Sequence, residues 1–244
     1  MKTVLLIVLG CLAVLALGWI FGPREQLAWP SQFDPYRLGE DLDGYLTEVE
    51  AQVPNLKPGA EKQIVWHDPE TKAQTDVALV YVHGFSASLE EIRPVPDLVA
   101  KALGANLFYT RLTGHGRDGP AMAEATASAW MEDISEAMAI GRKLGKAVVL
   151  IGTSTGGTLA SLTPFDRVLN ESLAGIVLVA PNFKVQASGS EMLNMPWGRT
   201  LVPAIIGPER DFPPRNEGHA AWWTTSYPSA ALVPMAAAIE AARA

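Results

Sequence analysis

Ser154 stands at the centre of the pattern Gly152-x-Ser154-x-Gly156, the stretch of this sequence best suited to chemistry. The pattern follows an apolar run at 147–151 and opens a run of small and apolar residues. A serine on a tight turn between a strand and a helix projects its hydroxyl above the sheet, and glycines two positions away leave room for the neighbouring elements. Because free N–H groups at a helix start favour an anion beside that hydroxyl, we predict that Ser154 is a nucleophile.

Two other interpretations of this glycine pattern are open to test. A glycine-rich turn can hold an ordinary serine, but the flanking strand and helix patterns favour the nucleophile. A phosphate-binding loop needs a Lys-Ser or Lys-Thr pair after the glycines, and none follows Gly157.

The only cysteine, Cys11, lies in an apolar N-terminal run, which excludes an intrachain disulfide and a thiolate-bound zinc. We predict no metal and no cofactor.

The elements that would position this serine alternate along the chain between strands and helices. Apolar runs predict strands at 63–66, 77–82, 106–110, 147–151 and 175–179, and helical patterns cover 96–103, 124–144 and 155–162. Nearly continuous apolar strands suit a sheet that is covered on both faces. The alternation therefore predicts an α/β fold, with a mostly parallel sheet flanked by helices.

After Pro181 this alternation ends. Residues 184–233 are rich in Pro and Gly, and an Ala-rich helix is predicted at 234–242. We divide the chain into an N-terminal segment 1–22, a linker or approach segment 23–61, a partial core 62–183 and a cap-like or lid-like segment 184–244. The approach segment is broken by prolines but allows one short amphipathic helix near 42–53. Its prolines are Pro23, Pro30, Pro35, Pro54 and Pro58.

The N-terminal segment is an uncharged apolar run from 4 to 21, behind Lys2. As a helix with a rise of about 1.5 Å per residue, it is long enough to cross the hydrocarbon of a bilayer. We favour a retained membrane anchor, with the rest of the chain on the extracytoplasmic (periplasmic) side. Signal-peptide cleavage after the small residues at 16–18 would leave a secreted protein, and 9–11 resembles a weak lipoprotein box. A buried core helix fits less well, because the run is apolar on all faces.

Net charge limits the choice of partners. The formal net charge is −7, with 19 basic and 26 acidic residues. Phosphate backbones are bound by clusters of Lys and Arg, and this sequence has no such cluster. We therefore exclude nucleic acid as a partner.

Two further stretches accompany the Ser154 pattern. Residues 80–85 (Val-Tyr-Val-His-Gly-Phe) are a predicted strand end with a His-Gly turn, and residues 111–116 (Arg-Leu-Thr-Gly-His-Gly) follow the next strand. With the Ser154 pattern they resemble the α/β-hydrolase superfamily. They are most similar to its bacterial esterase and monoacylglycerol-lipase-like branch, which is also grouped with serine aminopeptidases. The resemblance covers about residues 62–182, with Thr113 where the family has proline.

This resemblance implies the roles of three residues. Ser154 would attack the carbonyl of a small acyl ester or lipid substrate and form an acyl-enzyme. The backbone N–H groups of Phe85 and Thr155 would form the oxyanion hole that stabilises the tetrahedral intermediate. Residues from 184 onward would form a lid over the acyl pocket.

Three histidines precede the serine, and we predict no catalytic role for them. His83, in the His-Gly turn, is predicted to hold that turn by hydrogen bonds rather than to transfer protons. His115 is predicted to fix the shape of the 111–116 loop. His67 lies in a turn beside Pro69 and is expected to be solvated.

The acid and base of a triad are not found where the family has them. Asp211 and His219 follow Ser154 in the order Ser, Asp, His, but both lie in the cap-like segment with no apolar strand before them. Asp166 is too close to the serine in sequence. We therefore expect that the chain is truncated inside the lid and lacks the last core strands. It should be weakly active or inactive, since a serine without its base is a poor nucleophile.

Hypotheses from different classes follow. The first is a membrane-anchored serine hydrolase that cleaves carboxylic esters. The second is a non-catalytic, membrane-anchored module with the same fold that binds a lipid or a partner. The third keeps the serine and changes the reaction to amide hydrolysis or acyl transfer. A serine at this turn argues against dehalogenase or epoxide-hydrolase chemistry, which uses a carboxylate nucleophile.

Overall fold

The computed structural model describes residues 1–28 and 33–244, so Pro30 of the predicted linker lies outside the described residues. The central sheet consists of β1 (Gln63–Val65), β2 (Thr75–Val82), β3 (Asn106–Tyr109), β4 (Gly145–Thr153) and β5 (Leu173–Val179). The strands lie in the order β1-β3-β2-β4-β5, in which β1 is antiparallel to β3 and the other neighbours are parallel. The predicted α/β fold is confirmed, and each predicted strand is present.

Helices flank this sheet, and one helix lies near each end of the chain. They are α1 (Lys2–Phe21), α2 (Leu42–Ala51), α3 (Val95–Leu103), α4 (Ala127–Leu144), α5 (Thr155–Leu162), α6 (Gly198–Ile206), α7 (Glu217–Trp222) and α8 (Leu232–Ala241). Two short strands, β6 (Glu209–Asp211) and β7 (Ser226–Pro228), pair with each other apart from the central sheet. Within the described part of the chain, no strand lies beside the outer edge of β5.

The two faces of the sheet are covered unequally. Val80 of β2 and Val148 and Leu150 of β4 pack against α4, α5 and α8 in the largest hydrophobic cluster. The side chains that alternate with them, such as Leu79, form a smaller cluster with Ala100 of α3. Successive strand residues point to opposite faces, so the apolar runs that predicted the strands serve both clusters.

α4 supports the largest cluster along its whole length. Thr126 caps its start by accepting a hydrogen bond of 2.9 Å from the N–H three residues later. Trp130 and Ile134 are fully buried, one helical turn apart on the face that meets the sheet. The helix begins three residues later than predicted, because Thr126 caps it and residues 120–124 form a separate 3₁₀ turn.

Residues 33–61, part of the predicted approach segment, lie against the core. Leu38, Leu42 and Leu46 are buried in the largest cluster, and α2 confirms the predicted amphipathic helix. At the end of α2, the carboxylate of Glu50 accepts two hydrogen bonds of 2.8 Å from the guanidinium of Arg111. Both side chains of this ion pair are buried, so α2 is joined to the 111–116 loop.

The C-terminal segment divides between the core and the surface. α8, at the end of the predicted cap-like segment, packs on α4 and α5 and buries Met235, Ala238 and Ile239. Its many alanines allow a close approach to α5. The residues around β7 lie beside the turn that follows β2, where Thr224 N donates to Ser86 O at 2.7 Å.

α1 has no contact with the hydrophobic core, and none of its residues is buried. It has 20 residues and a mean hydropathy of 2.9. In the described residues it is the one helix long and apolar enough to cross a membrane, a property shared by anchors and signal sequences.

Candidate active site

Ser154 occupies a strained turn between β4 and α5. Its backbone has φ 50° and ψ −116°, a region that non-glycine residues rarely adopt. The Ser154 N–H donates to Val179 O at 3.0 Å, and its carbonyl accepts from the N–H groups of Thr158 and Asn182 at 3.0 Å. Three backbone hydrogen bonds, to β5, to α5 and to the loop after β5, therefore hold this conformation in place.

The glycines around Ser154 are required by close backbone approaches. A Cβ on Gly152 would lie 2.5 Å from Gly156 O, and a Cβ on Gly156 would overlap Val82 O. A Cβ on Gly157 would lie 3.0 Å from Gly152 O. The spacing on which the sequence prediction rested has this steric cause: α5 crosses directly over the ends of β2 and β4.

The two predicted oxyanion donors lie beside the strand-to-helix turn that carries Ser154. Neither Phe85 N–H nor Thr155 N–H donates a hydrogen bond to any protein atom in the described residues. Thr155 is the first residue of α5, where the N–H groups have no partner within the helix. The ring of Phe85 is partly buried against the core and meets Tyr227 edge-on, with ring centroids 5.2 Å apart. The structure thus brings two free N–H groups together with Ser154.

Glu91 is a residue of this site that the sequence analysis missed. Its Oε2 accepts hydrogen bonds from Gly84 N at 2.7 Å and from the Tyr81 hydroxyl at 2.9 Å. A Cβ on Gly84 would lie 2.6 Å from Glu91 Oε1 and 3.1 Å from Ser154 Cβ, so little more than the space of one methyl group separates the carboxylate from the serine. Burial raises the pKa of Glu91. By binding the Gly84 N–H, Glu91 fixes the peptide that precedes Phe85 N–H.

His83 holds the His-Gly turn, as predicted. Its Nδ1 lies 2.8 Å from Gly84 O, and its Nε2 accepts a hydrogen bond of 3.1 Å from Leu112 N. Burial lowers the pKa of His83 to about 4. With both ring nitrogens engaged and the ring neutral, His83 has no free lone pair for Ser154.

The 111–116 loop packs against the same turn. Thr113 N donates to Asp133 Oδ2 at 2.6 Å, and Trp130 Nε1 donates to Thr113 O at 3.0 Å. Burial raises the pKa of Asp133 to about 6. The ring of His115 is buried 5.0 Å from that of His83. Burial, and to a lesser extent the electrostatic coupling to His83, holds the pKa of His115 well below its usual range. His115 therefore shapes the loop from inside.

His219, the histidine with the correct chain order, is not arranged as a base for Ser154. Its Nδ1 accepts a hydrogen bond of 3.0 Å from Arg215 N, which leaves the proton on Nε2. A triad needs the opposite tautomer, with Nδ1–H bound to a carboxylate and the Nε2 lone pair facing the serine. The ring stacks on Phe212 and meets Trp223 edge-on. Asp211 is exposed on β6, and no hydrogen bond joins it to His219 in the described residues.

The remaining candidates have other environments. Asp166 accepts hydrogen bonds from Val168 N and Leu169 N at 2.7 and 3.0 Å and so caps the turn after α5. His67 is exposed, as expected. A cavity of about 510 Å³ beside Glu91 is lined by His219, by Trp222 at the end of α7 and by Trp223, which follows it. Within the residues that the structure describes, no group of three or more His, Cys, Asp or Glu side chains could hold a metal ion.

A mostly parallel sheet flanked by helices, with a strained serine at a strand-to-helix turn, is the arrangement of an α/β-hydrolase fold. Residues 79–243 match the model of the alpha/beta hydrolase family, and the chain belongs to that family. A thermostable monoacylglycerol lipase from Bacillus sp. (strain H-257) is 31% identical over 83 residues, which cover 34% of this chain. The match spans about a third of that lipase's length, 33%.

Two solved structures share the fold. One, described for LipS and LipT, two metagenome-derived lipolytic enzymes, has a TM-score of 0.61 and 24% identity, covering 77% of this chain and 70% of its own. The other is a soluble variant of monoglyceride lipase from Saccharomyces cerevisiae, with a TM-score of 0.53, 13% identity and coverage of 77% and 68%. At these identities the structures support the fold, and with the family match they confirm the resemblance to esterase-like and lipase-like α/β hydrolases.

Proposed function

We propose that this chain is a serine hydrolase of the α/β-hydrolase type that cleaves carboxylic esters of acyl or lipid substrates. The observation that carries the proposal is the backbone of Ser154, held at φ 50° beside the free N–H groups of Phe85 and Thr155. Strain of this kind persists only where surrounding contacts impose it, and such sites are commonly functional. The relatives named as lipases support an ester or lipid as substrate.

In the proposed reaction, Ser154 Oγ gives up its proton to water as it bonds to the acyl carbon, and the carbonyl electrons move to oxygen. The N–H groups of Phe85 and Thr155 donate to that oxyanion. Collapse of the intermediate expels the alcohol, which takes up a proton, and leaves an acyl-Ser154 ester. Water then attacks this ester and releases the carboxylic acid.

The proton of Ser154 limits the rate in this mechanism. No histidine nitrogen in the described residues hydrogen-bonds Ser154 Oγ, and the tautomer of His219 disfavours that role. Without a base, oxyanion hole and binding together give roughly a 10³–10⁴-fold advantage over water. We therefore propose a weakly active or inactive chain.

The lack of a base for Ser154 in the described residues also supports a second candidate function, a non-catalytic binding module anchored to the membrane. The neutral, fully engaged His83 and the Nε2–H tautomer of His219 favour it. Under both candidates α1 serves as the anchor, with the folded part on the extracytoplasmic side.

The test uses the purified full chain in detergent, beside Ser154→Ala and His219→Ala. We expect weak turnover of short p-nitrophenyl esters that Ser154→Ala abolishes and His219→Ala leaves unchanged, with slow labelling of Ser154 by a fluorophosphonate. If the parent and Ser154→Ala chains hydrolyse the esters equally and the fluorophosphonate labels neither, the hydrolase is excluded. The binding module then remains as the candidate function. Rapid turnover abolished by both substitutions would show that His219 is the base and that the proposed weak activity is wrong.

A further inference from the structure

α6 has apolar residues on its buried side and on the exposed side next to it. Gly198 and Val202 are buried against the rest of the protein, with Val202 in a small cluster that includes Val233. Trp197 and Ile205 point outward and are 47% and 56% exposed. Leu201 and Ile205 are four residues apart on one side of α6, and Trp197 is the N-cap residue that precedes the helix.

This outer face carries no charge. The one ionisable side chain of α6, Arg199, points sideways and donates to Glu25 Oε2 at 2.8 Å and to Ala123 O at 3.0 Å. Glu25 in turn accepts a hydrogen bond of 2.9 Å from Ala127 N. The ion pair therefore links residues just after α1 to the start of α4, and leaves the outer face of α6 apolar.

The same face is joined to the end of α1. Trp197 Nε1 donates to Gly18 O at 2.9 Å, and Trp197 N donates to Pro23 O at 2.7 Å. These bonds bracket the last turn of α1, so its exit point lies against the start of α6. The outer face of α6 therefore lies close to the point at which α1 ends.

We propose that Trp197, Leu201 and Ile205 form a membrane-contact surface that lies in the interface of the bilayer into which α1 inserts. This inference rests on the proposed membrane anchor. With about 1.5 Å of rise per residue, α1 spans the hydrocarbon and its last turn reaches the interface. Tryptophan concentrates at that depth, and an apolar helix face there lies in the plane of the membrane.

A second apolar stripe, on the outside of α3, provides a contrast. Val95, Leu98 and Leu103 are exposed there as well, but no hydrogen bond connects α3 to α1 in the described part of the chain. We place the membrane contact on α6 and not on α3 because Trp197, at the start of α6, is hydrogen-bonded to α1. Because the outer face of α6 is uncharged, contact should depend on apolar insertion and be the same on neutral and anionic lipid.

The experiment uses the full chain in phosphatidylcholine vesicles. Cys11 is the only cysteine, so Cys11→Ser gives a background for single-cysteine labelling with an environment-sensitive fluorophore. Ile205→Cys reports on α6, and Thr71→Cys, exposed in the turn before β2, is the matched control. We expect lipid-borne quenchers to quench the probe at 205 at least about twofold more than at 71.

Flotation of the vesicles distinguishes a failure of the membrane anchor from a failure of the contact surface. A chain that floats with vesicles while positions 205 and 71 are quenched equally keeps the anchor and overturns the contact surface. If the chain does not float, α1 is not a membrane anchor, and the proposed contact surface is overturned as well. A second protein copy covering α6 would shield position 205 from lipid-borne quenchers and would also overturn the inference. Leu201→Asp should reduce quenching at 205 without changing flotation.

Discussion

The two faces of the central sheet differ in how far they are covered. On one face, α4, α5 and α8 bury Leu150 and its neighbours completely. On the other, α3 covers β2 and β3, while Val177 of β5 remains 48% exposed beside the buried Ile151. Parallel sheets are normally covered on both faces. The covered face should therefore supply most of the stability, and the open face should govern association with other surfaces.

The largest expected effect is a cavity in the covered face. Leu150→Ala should lower the free energy of unfolding by about 4 kcal/mol, because Leu150 is fully buried and its neighbours cannot close the space. Leu98→Ala on the outside of α3, where the leucine is 61% exposed, is the matched control. It should change stability by about 0.5 kcal/mol or less. Urea unfolding of both variants in detergent measures the difference, and equal losses would contradict the comparison.

The buried ion pair on the covered side should come next. Glu50→Gln leaves the Arg111 guanidinium buried without its counter-charge and should cost about 3 kcal/mol. The more exposed pair of Arg93, which precedes α3, and Asp97, in its first turn, is the control, and Asp97→Asn should cost about 1 kcal/mol or less. Similar costs for the two substitutions would show that burial does not separate the pairs.

Glu50 also gives this pair a pH dependence. Burial alone would raise the pKa of Glu50, but the hydrogen bonds and charge of Arg111 outweigh it and hold the pKa below its usual value. A carboxyl with a lowered pKa in the folded state stabilises the protein above its unfolded pKa. The contribution is lost as the pH falls through the folded pKa. Glu50→Gln should therefore flatten the loss of stability in acid.

A smaller effect is expected from His83 at mildly acidic pH. Its pKa of about 4 lies below the unfolded value, so the unfolded chain binds the proton first and stability falls as the pH drops from about 6.5 toward 4. At pH 5 the loss from His83 should be about 2 kcal/mol. Urea midpoints at pH 7 and pH 5 measure it. His83→Gln should reduce the difference, whereas His67→Gln, at an exposed position, should leave it unchanged.

The smallest change in stability is expected at the open edge. Val177→Lys places a charge where β5 has no strand neighbour in the described residues, and should alter the free energy of unfolding by about 0.5 kcal/mol or less. The same substitution should reduce self-association, since lysine at a strand edge opposes pairing with another chain. Sedimentation at low detergent compares the two proteins. Unchanged association would mean that this edge is already covered.

The sequence predicts the elements of this fold well where local chemistry dictates them. Gly152 and Gly156 are fixed by backbone contact, and the apolar runs of β2 and β4 require a sheet covered by helices. Glu91 escaped prediction because nothing local separates it from its neighbour Glu90; its burial depends on Gly84 and Tyr81, which meet it only in the folded chain. The position of α8 was also hidden, since an alanine-rich helix has no strong apolar stripe to indicate which neighbour it packs against.

The backbone of Ser154 has a thermodynamic consequence that can be measured without any substrate. Glycine tolerates φ 50° freely, so Ser154→Gly should raise the free energy of unfolding by about 1 kcal/mol, whereas Ser154→Ala keeps the Cβ and should be neutral. The serine hydroxyl makes no hydrogen bond with a described residue, so its loss removes no stabilising contact. Selection for stability alone would therefore favour glycine at position 154, and the proposed nucleophilic role of Ser154 would account for the serine found there.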